Sequence, residues 1–223
     1  MARKVEQLFS AEEQERIAAA VKVAEQHTAG EIVPCIVAQC DEYEEAAWRG
    51  GAIAAFLVFA AFFCLRAFTT TWLPLGLGAM GTGVVLAGGA GMLLAQWVPA
   101  LRRLLAGEEL MDRRVTGRAL QAFVEEEVFA TRERTGILIF LSLMEHEVRV
   151  LGDAGINARV APEEWEEVVR RLVEGMRQGQ PALGLIEAIA QCGALLERCG
   201  GQRRADDTDE LGNTPRTGGE GEV

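Results

Sequence analysis

Histidine and tyrosine are almost missing from this chain of 223 residues, which has two of the first (His27 and His146) and one of the second (Tyr43). Two histidines far apart, with no HExxH and no His/Cys cluster, leave a zinc centre without a ligand set. The five cysteines (Cys35, Cys40, Cys64, Cys192, Cys199) form no CxxC pair and are odd in number, which speaks against a disulfide framework and suits a reducing compartment. Ser142 lies inside an apolar run rather than in GxSxG, and no glycine-rich phosphate loop follows a strand, so nucleophilic-hydrolase and nucleotide-binding readings find no motif. Basic residues are the minority, 22 against 33 acidic, for a net charge of −11. Nucleic acid is therefore not expected as a partner.

The sharpest absence is local. From Gly50 to Leu101, 52 residues, the only charged side chain is Arg66. A run of that length exceeds what a domain of this size could bury, and a bilayer core needs about 20 helical residues, so the block reads as membrane-spanning. Arg66 and the short turn after it divide the block into a transmembrane helical hairpin over 48–101, with helices at about 48–66 and 72–98. Arg49 and Arg66 can snorkel to the interfaces, and Trp72 and Trp97 bracket the second span. Small residues recur at every fourth position of that span (Ala79, Gly83, Ala87, Gly91, Ala95), a ridge for close helix packing. Gly50 with Ala54 and Gly51 with Ala55 offer a matching surface, and one sequence leaves open whether the ridge packs within or between chains.

Arg49, Arg102 and Arg103 flank the hairpin on the side of the termini against Arg66 alone at the turn, so both termini and the soluble part are expected in the cytoplasm. The first residues, rich in charge, have no apolar signal core, which agrees. The expected location is the cytoplasmic (inner) membrane, multi-pass, with the lipid bilayer as one partner and another membrane protein or a second copy as the other.

The remaining residues pattern as one domain. Ser10 and Glu13 form a capping-box signature ahead of a helix carrying Ile17, Val21 and Ala24, which should end near Ala29-Gly30. Glu31 to Cys40 reads as a strand buried on both faces, with Pro34 marking a bulge or an edge. Val115, Ala119, Leu120, Phe123, Val124, Val128 and Phe129 mark an amphipathic helix. Gly136–Leu143 is a second buried strand, Glu147–Leu151 a third with one wet face, and helices follow from Pro162 and from about Pro181 to Cys199. One strand before the hairpin and two after it must combine, which predicts a single discontinuous domain from 1–47 and 102–199. Residues 200–223, poor in apolar side chains, read as a disordered acidic tail.

Leu8-Phe9-Ser10 before a helix, Gly30-Glu31-Ile32-Val33-Pro34, Thr131-Arg132-Glu133-Arg134-Thr135-Gly136-Ile137-Leu138 and Asp153-Ala154-Gly155-Ile156, in this order, resemble the TPM domain family, including bacterial membrane members with a two-helix transmembrane insertion. The resemblance implies an α/β fold, a three-layer α/β/α sandwich (TPM-like) with the helical hairpin inserted. For some plant members it also implies phosphatase activity and divalent-cation binding.

With two parallel strands and an antiparallel third, Glu31, Arg134 and Asp153 gather at one end of the sheet. Two carboxylates with an arginine could bind a cation or a phosphate, or could cap turns and close on one another as an ion pair. No cofactor is evident beyond a divalent cation at that position. Two functions follow: a binding or maintenance module for a membrane protein or complex, and, as the alternative, a phosphatase-like hydrolase at the Glu31/Arg134/Asp153 end. A solvent-open carboxylate pair would favour the second, and paired-off residues the first.

Overall fold

A computed structural model describes residues 9–26, 28–68, 76–199 and 214–218. Leu8, His27, Trp72 with the rest of the hairpin turn, and most of the tail lie outside the described residues.

The chain divides into two compact units, residues 1–40 with 114–223, and residues 41–113. The first is built on a sheet. β1 (Ile32–Val37) pairs in parallel with β2 (Ile137–Ser142), Ile32 opposite Ile137, and β2 pairs antiparallel with β3 (Glu147–Gly152). Every residue of β1 and β2 is buried, as an uninterrupted apolar run requires when helices cover both faces. Alternation sorts them. Ile32, Ile36, Ile137, Ile139 and Leu141 join one cluster with Ile17 and Val21 of α1 (Ala11–Glu25) and with residues of two later helices, Pro162–Arg177 and Pro181–Cys199. Val33, Cys35, Val37, Leu138 and Phe140 face Val115, Ala119 and Ala122 on the other side. Helices on both faces of the sheet make the three layers of an α/β/α sandwich.

Local chemistry explains the element ends. The capping box forms: Ser10 Oγ accepts from Glu13 N at 3.2 Å and Glu13 Oε2 from Ser10 N at 2.8 Å. α1 stops at Glu25, short of Ala29-Gly30, and the buried Glu25 turns back so that its Oε1 accepts from Ile32 N at 2.8 Å. Hydrogen bonds from Ile137 N to Glu31 O and from Leu143 N to Val37 O place Glu31 and residues 33, 35 and 37 of β1 toward β2. Residues 32, 34 and 36 then face the outer edge. Pro34, with no N–H to lose, occupies an edge-facing position, and no bulge is needed.

Two expectations are corrected here. The tail is not wholly without structure: Arg216–Gly218 forms a fourth strand, β4, parallel to β1 with Ile36 opposite Thr217, and the sheet order is β3-β2-β1-β4. Composition missed it because three residues that borrow their pairing from a buried neighbour need no apolar pattern of their own. On the amphipathic helix, Leu120 and Val124 are exposed, and the buried stripe is Val115, Ala119 and Ala122.

The second unit contains α2 (Glu44–Phe68), α3 (Leu77–Trp97), α4 (Pro99–Ala106) and the start of α5 (Glu108–Glu125). Within it Arg49 Nη1 donates to the carbonyls of Leu105 (2.7 Å) and Ala106 (3.0 Å), tying α4 to α2. α2 and α3 are long and apolar enough to cross a membrane, and their large apolar side chains face outward, with Phe56 66% and Leu86 68% exposed. The two helices touch through small residues. A Cβ on Gly91 would lie 2.5 Å from Gly50 O and 2.7 Å from Ala54 Cβ, and one on Gly51 would meet Met92 Cγ at 2.6 Å. The ridge therefore faces α2 most closely at Gly91 and Ala95, both buried, still meets Val58 at Gly83, and is exposed at Ala79. The reason is geometric: each four-residue step turns by about 40° around a helix of 3.6 residues per turn, so a strict fourfold ridge spirals away from the partner.

Candidate functional site

The segments that position the candidate residues are turns held by their own side chains. Thr131 Oγ1 accepts from Thr135 N at 3.0 Å and Thr131 O from Arg134 N at 3.1 Å, so Thr131–Thr135 closes on itself and Arg134 adopts a left-handed φ of 57°. Gly136 follows where the chain passes against the Val128 carbonyl so closely that a Cβ would overlap it. Asp153 then ends β3, and its N donates to Gly136 O at 2.9 Å. Its side chain caps the four-residue α6 (Ala154–Asn157), accepting from Ala154 N at 2.7 Å. Gly155 N donates to Arg134 O at 2.9 Å, an approach in which a Cβ would overlap Glu133 O. Gly30 likewise leaves no room, with Leu196 and the Thr135 carbonyl against it. Gly136 and Gly155 are thus sites where backbone packs on backbone, and Gly30 is one where the Leu196 side chain closes in.

Register and these bonds bring Glu31, Arg134 and Asp153 to the same end of the sheet. Glu31 O accepts from Ile137 N at 2.8 Å, in line with Gly136 and Asp153 on the neighbouring strands. At the side-chain level Arg134 and Asp153 form a bidentate pair, Nε to Oδ2 at 2.5 Å and Nη2 to Oδ1 at 2.9 Å. Asp153 is 5% exposed, whereas the Arg134 side chain is 56% exposed and its guanidinium pKa is pushed further up by the Asp153 carboxylate. Both Asp153 oxygens are engaged. The Glu31 carboxylate is also buried, 7% exposed, and Thr135 Oγ1 is buried with no hydrogen-bond partner among the described residues. No group of three or more His, Cys, Asp and Glu side chains able to hold a metal ion occurs among the described residues.

Three further acids do structural work that the sequence did not signal. Glu25 receives the Ile32 N–H as described. At the opposite end of the sheet, Glu145 Oε1 accepts from Cys40 N at 2.8 Å, and its other oxygen takes a short hydrogen bond from Ser142 Oγ. Burial, helped by the Glu145 charge, pushes the Cys40 thiol up to about 12, and burial first, then Glu126, does the same to Cys35. Neither thiol is a nucleophile at neutral pH. Glu126, beyond the end of α5, pairs with Arg216 of β4 (2.9 Å). None of these pairings carries a local motif, because each joins residues distant in sequence or acts through a turn.

The chain thus forms an α/β/α sandwich whose sequence is interrupted by an apolar helical hairpin, with an Arg–Asp pair at one end of the sheet. Residues 104–195 match the model of the TPM domain family. The NMR structure of the BA42 protein from the psychrophilic bacterium Bizionia argentinensis is similar, with a TM-score of 0.56 and 20% identity over 94% of this chain and 95% of that chain. That likeness concerns the fold. No curated protein matches.

Proposed function

We propose that this protein is a membrane-anchored TPM-domain module that binds or maintains a membrane protein or complex, held in the cytoplasmic membrane by α2 and α3. The observation that carries this reading is the state of Asp153. Its oxygens are taken by Arg134 and by the Ala154 N–H, which is the arrangement of a structural clasp rather than of an open pair of carboxylates. The outward-facing apolar side chains of α2 and α3 support the anchor, since helices buried in a soluble core would not expose Phe56, Phe63 or Leu86. Orientation follows from Arg49, Arg102 and Arg103 outweighing Arg66, which puts both termini in the cytoplasm.

Purification of the detergent-solubilised protein should retain a specific membrane protein and show no turnover of phosphate esters with Mg2+ or Ca2+. Metal-dependent turnover lost in Asp153→Asn would overturn the reading in favour of a phosphatase-like or cation-binding site at Glu31/Arg134/Asp153. Cysteine labelling in intact cells tests orientation: a probe at position 70 should react from outside, and one at position 207 only after permeabilisation.

A further inference from the structure

The outer edge of β1 is almost closed. Ile32 N–H is taken by Glu25, Pro34 has no N–H, and Ile36 turns both its N–H and its C=O toward that edge, beside the carbonyls of Ile32 and Pro34, where β4 lies opposite. We propose that this edge, Cys35–Val37, is a strand-accepting site for an extended peptide segment that enters parallel to β1 with a cation leading and small residues following, and that Arg216–Gly218 fills it in cis as a pseudo-ligand.

The parallel register with Ile36 opposite Thr217 lets Ile36 N–H donate to Arg216 O and Gly218 N–H donate to Ile36 O, so one residue of open edge is served by three residues of strand. The preference for a leading cation comes from the end of α5. Glu125 is occupied by Arg118 and Gln121, both at 2.7 Å, whereas Glu126 meets Arg216 at 2.9 Å, and the negative end of the helix dipole adds to its field. That contact is an ion pair without a directed hydrogen bond from Arg216 Nε, and both side chains are about one-third exposed. Two backbone hydrogen bonds and one partly solvated ion pair form a modest grip that a competing segment of like chemistry can replace. Tethering raises the local concentration of the cis strand, so the site is guarded by β4 of the same chain. This deepens the binding-module reading and rests on it, by naming where and how a partner segment would dock.

The test uses the full-length protein in detergent, a fluorescein-labelled peptide of sequence 213–219, and hydrogen exchange at the Ile36 amide. Gly218→Pro removes the donor to Ile36 O. It should speed exchange at Ile36 and raise the peptide's affinity relative to the wild type. Adding Glu126→Gln to that variant should weaken peptide binding by roughly three-fold, the scale of one partly exposed ion pair, while its thermal melt reports whether the fold is kept. Unchanged Ile36 exchange, equal binding to wild type and variant, or no binding to the variant each overturns the proposal, and so does indifference to Glu126→Gln. None of these results bears on whether a membrane protein co-purifies, so failure here is distinguishable from failure of the broader reading.

Discussion

At the scale of single residues, Asp153 joins three pieces of chain: the end of β3, the turn that carries Arg134, and the first turn of α6. Asp153→Ala removes an N-cap and a buried acceptor together and should cost about 1–2 kcal/mol. Asp153→Asn keeps the cap and should cost less, since Arg134 is largely solvated and its charge is screened. Chemical denaturation of the solubilised protein checks both, and a neutral Asp153→Ala would show that the clasp is not structural. The thiols set a second expectation. Cys35, Cys40 and Cys192 are raised to about 12 from an ordinary value near 9. Between those values the unfolded chain releases protons that the folded chain retains. Stability should therefore be fully present below about pH 9 and fall as pH rises toward 12. A pH series of melts should show this alkaline decline, and Cys35→Ala should reduce its slope.

At the scale of elements, the hairpin shows how a sequence period can mark part of a contact face and miss its neighbours. Gly91 and Ala95 of the small-residue ridge meet α2, but Gly88 and Met92 do so as well, and Ala79 does not. Gly91→Leu should split the helix pair, because its side chain would enter the Gly50 carbonyl and Ala54. Gly89→Leu should be tolerated, because nothing lies within 4 Å of a Cβ there. A disulfide engineered between α2 and α3 forms readily if the pair is intact, so its yield should drop in the first variant only. The capping box at Ser10 and Glu13 was legible because it is local. The length of α1 was not, since its end depends on Glu25 reaching a strand seven residues on.

At the scale of the whole molecule, a strand that precedes the hairpin pairs in register with one that follows it. Replacing residues 48–101 by a short flexible linker should leave a soluble folded domain, because closure entropy changes only slowly with loop length. Its circular dichroism and cooperative melt should survive, and deletion of residues 9–40 from that protein should abolish both. A domain that folded equally well without β1 would refute the shared sheet.

The sequence by itself determined which runs are apolar on one face, on two or all round, and hence the strands, the capped helices, the hairpin and the need to join both halves. Those properties follow from local periodicity and from the cost of burying backbone and charge. Tertiary structure alone decided that Arg134 closes on Asp153 instead of standing open, that Glu25 and Pro34 leave β1 few edge donors, that Glu126 draws Arg216 onto it, and that the small-residue ridge is buried at Gly91 and Ala95 and exposed at Ala79. Each of these depends on distances between residues far apart along the chain. A residue's neighbours in sequence carry no information about such distances until the sheet register sets them.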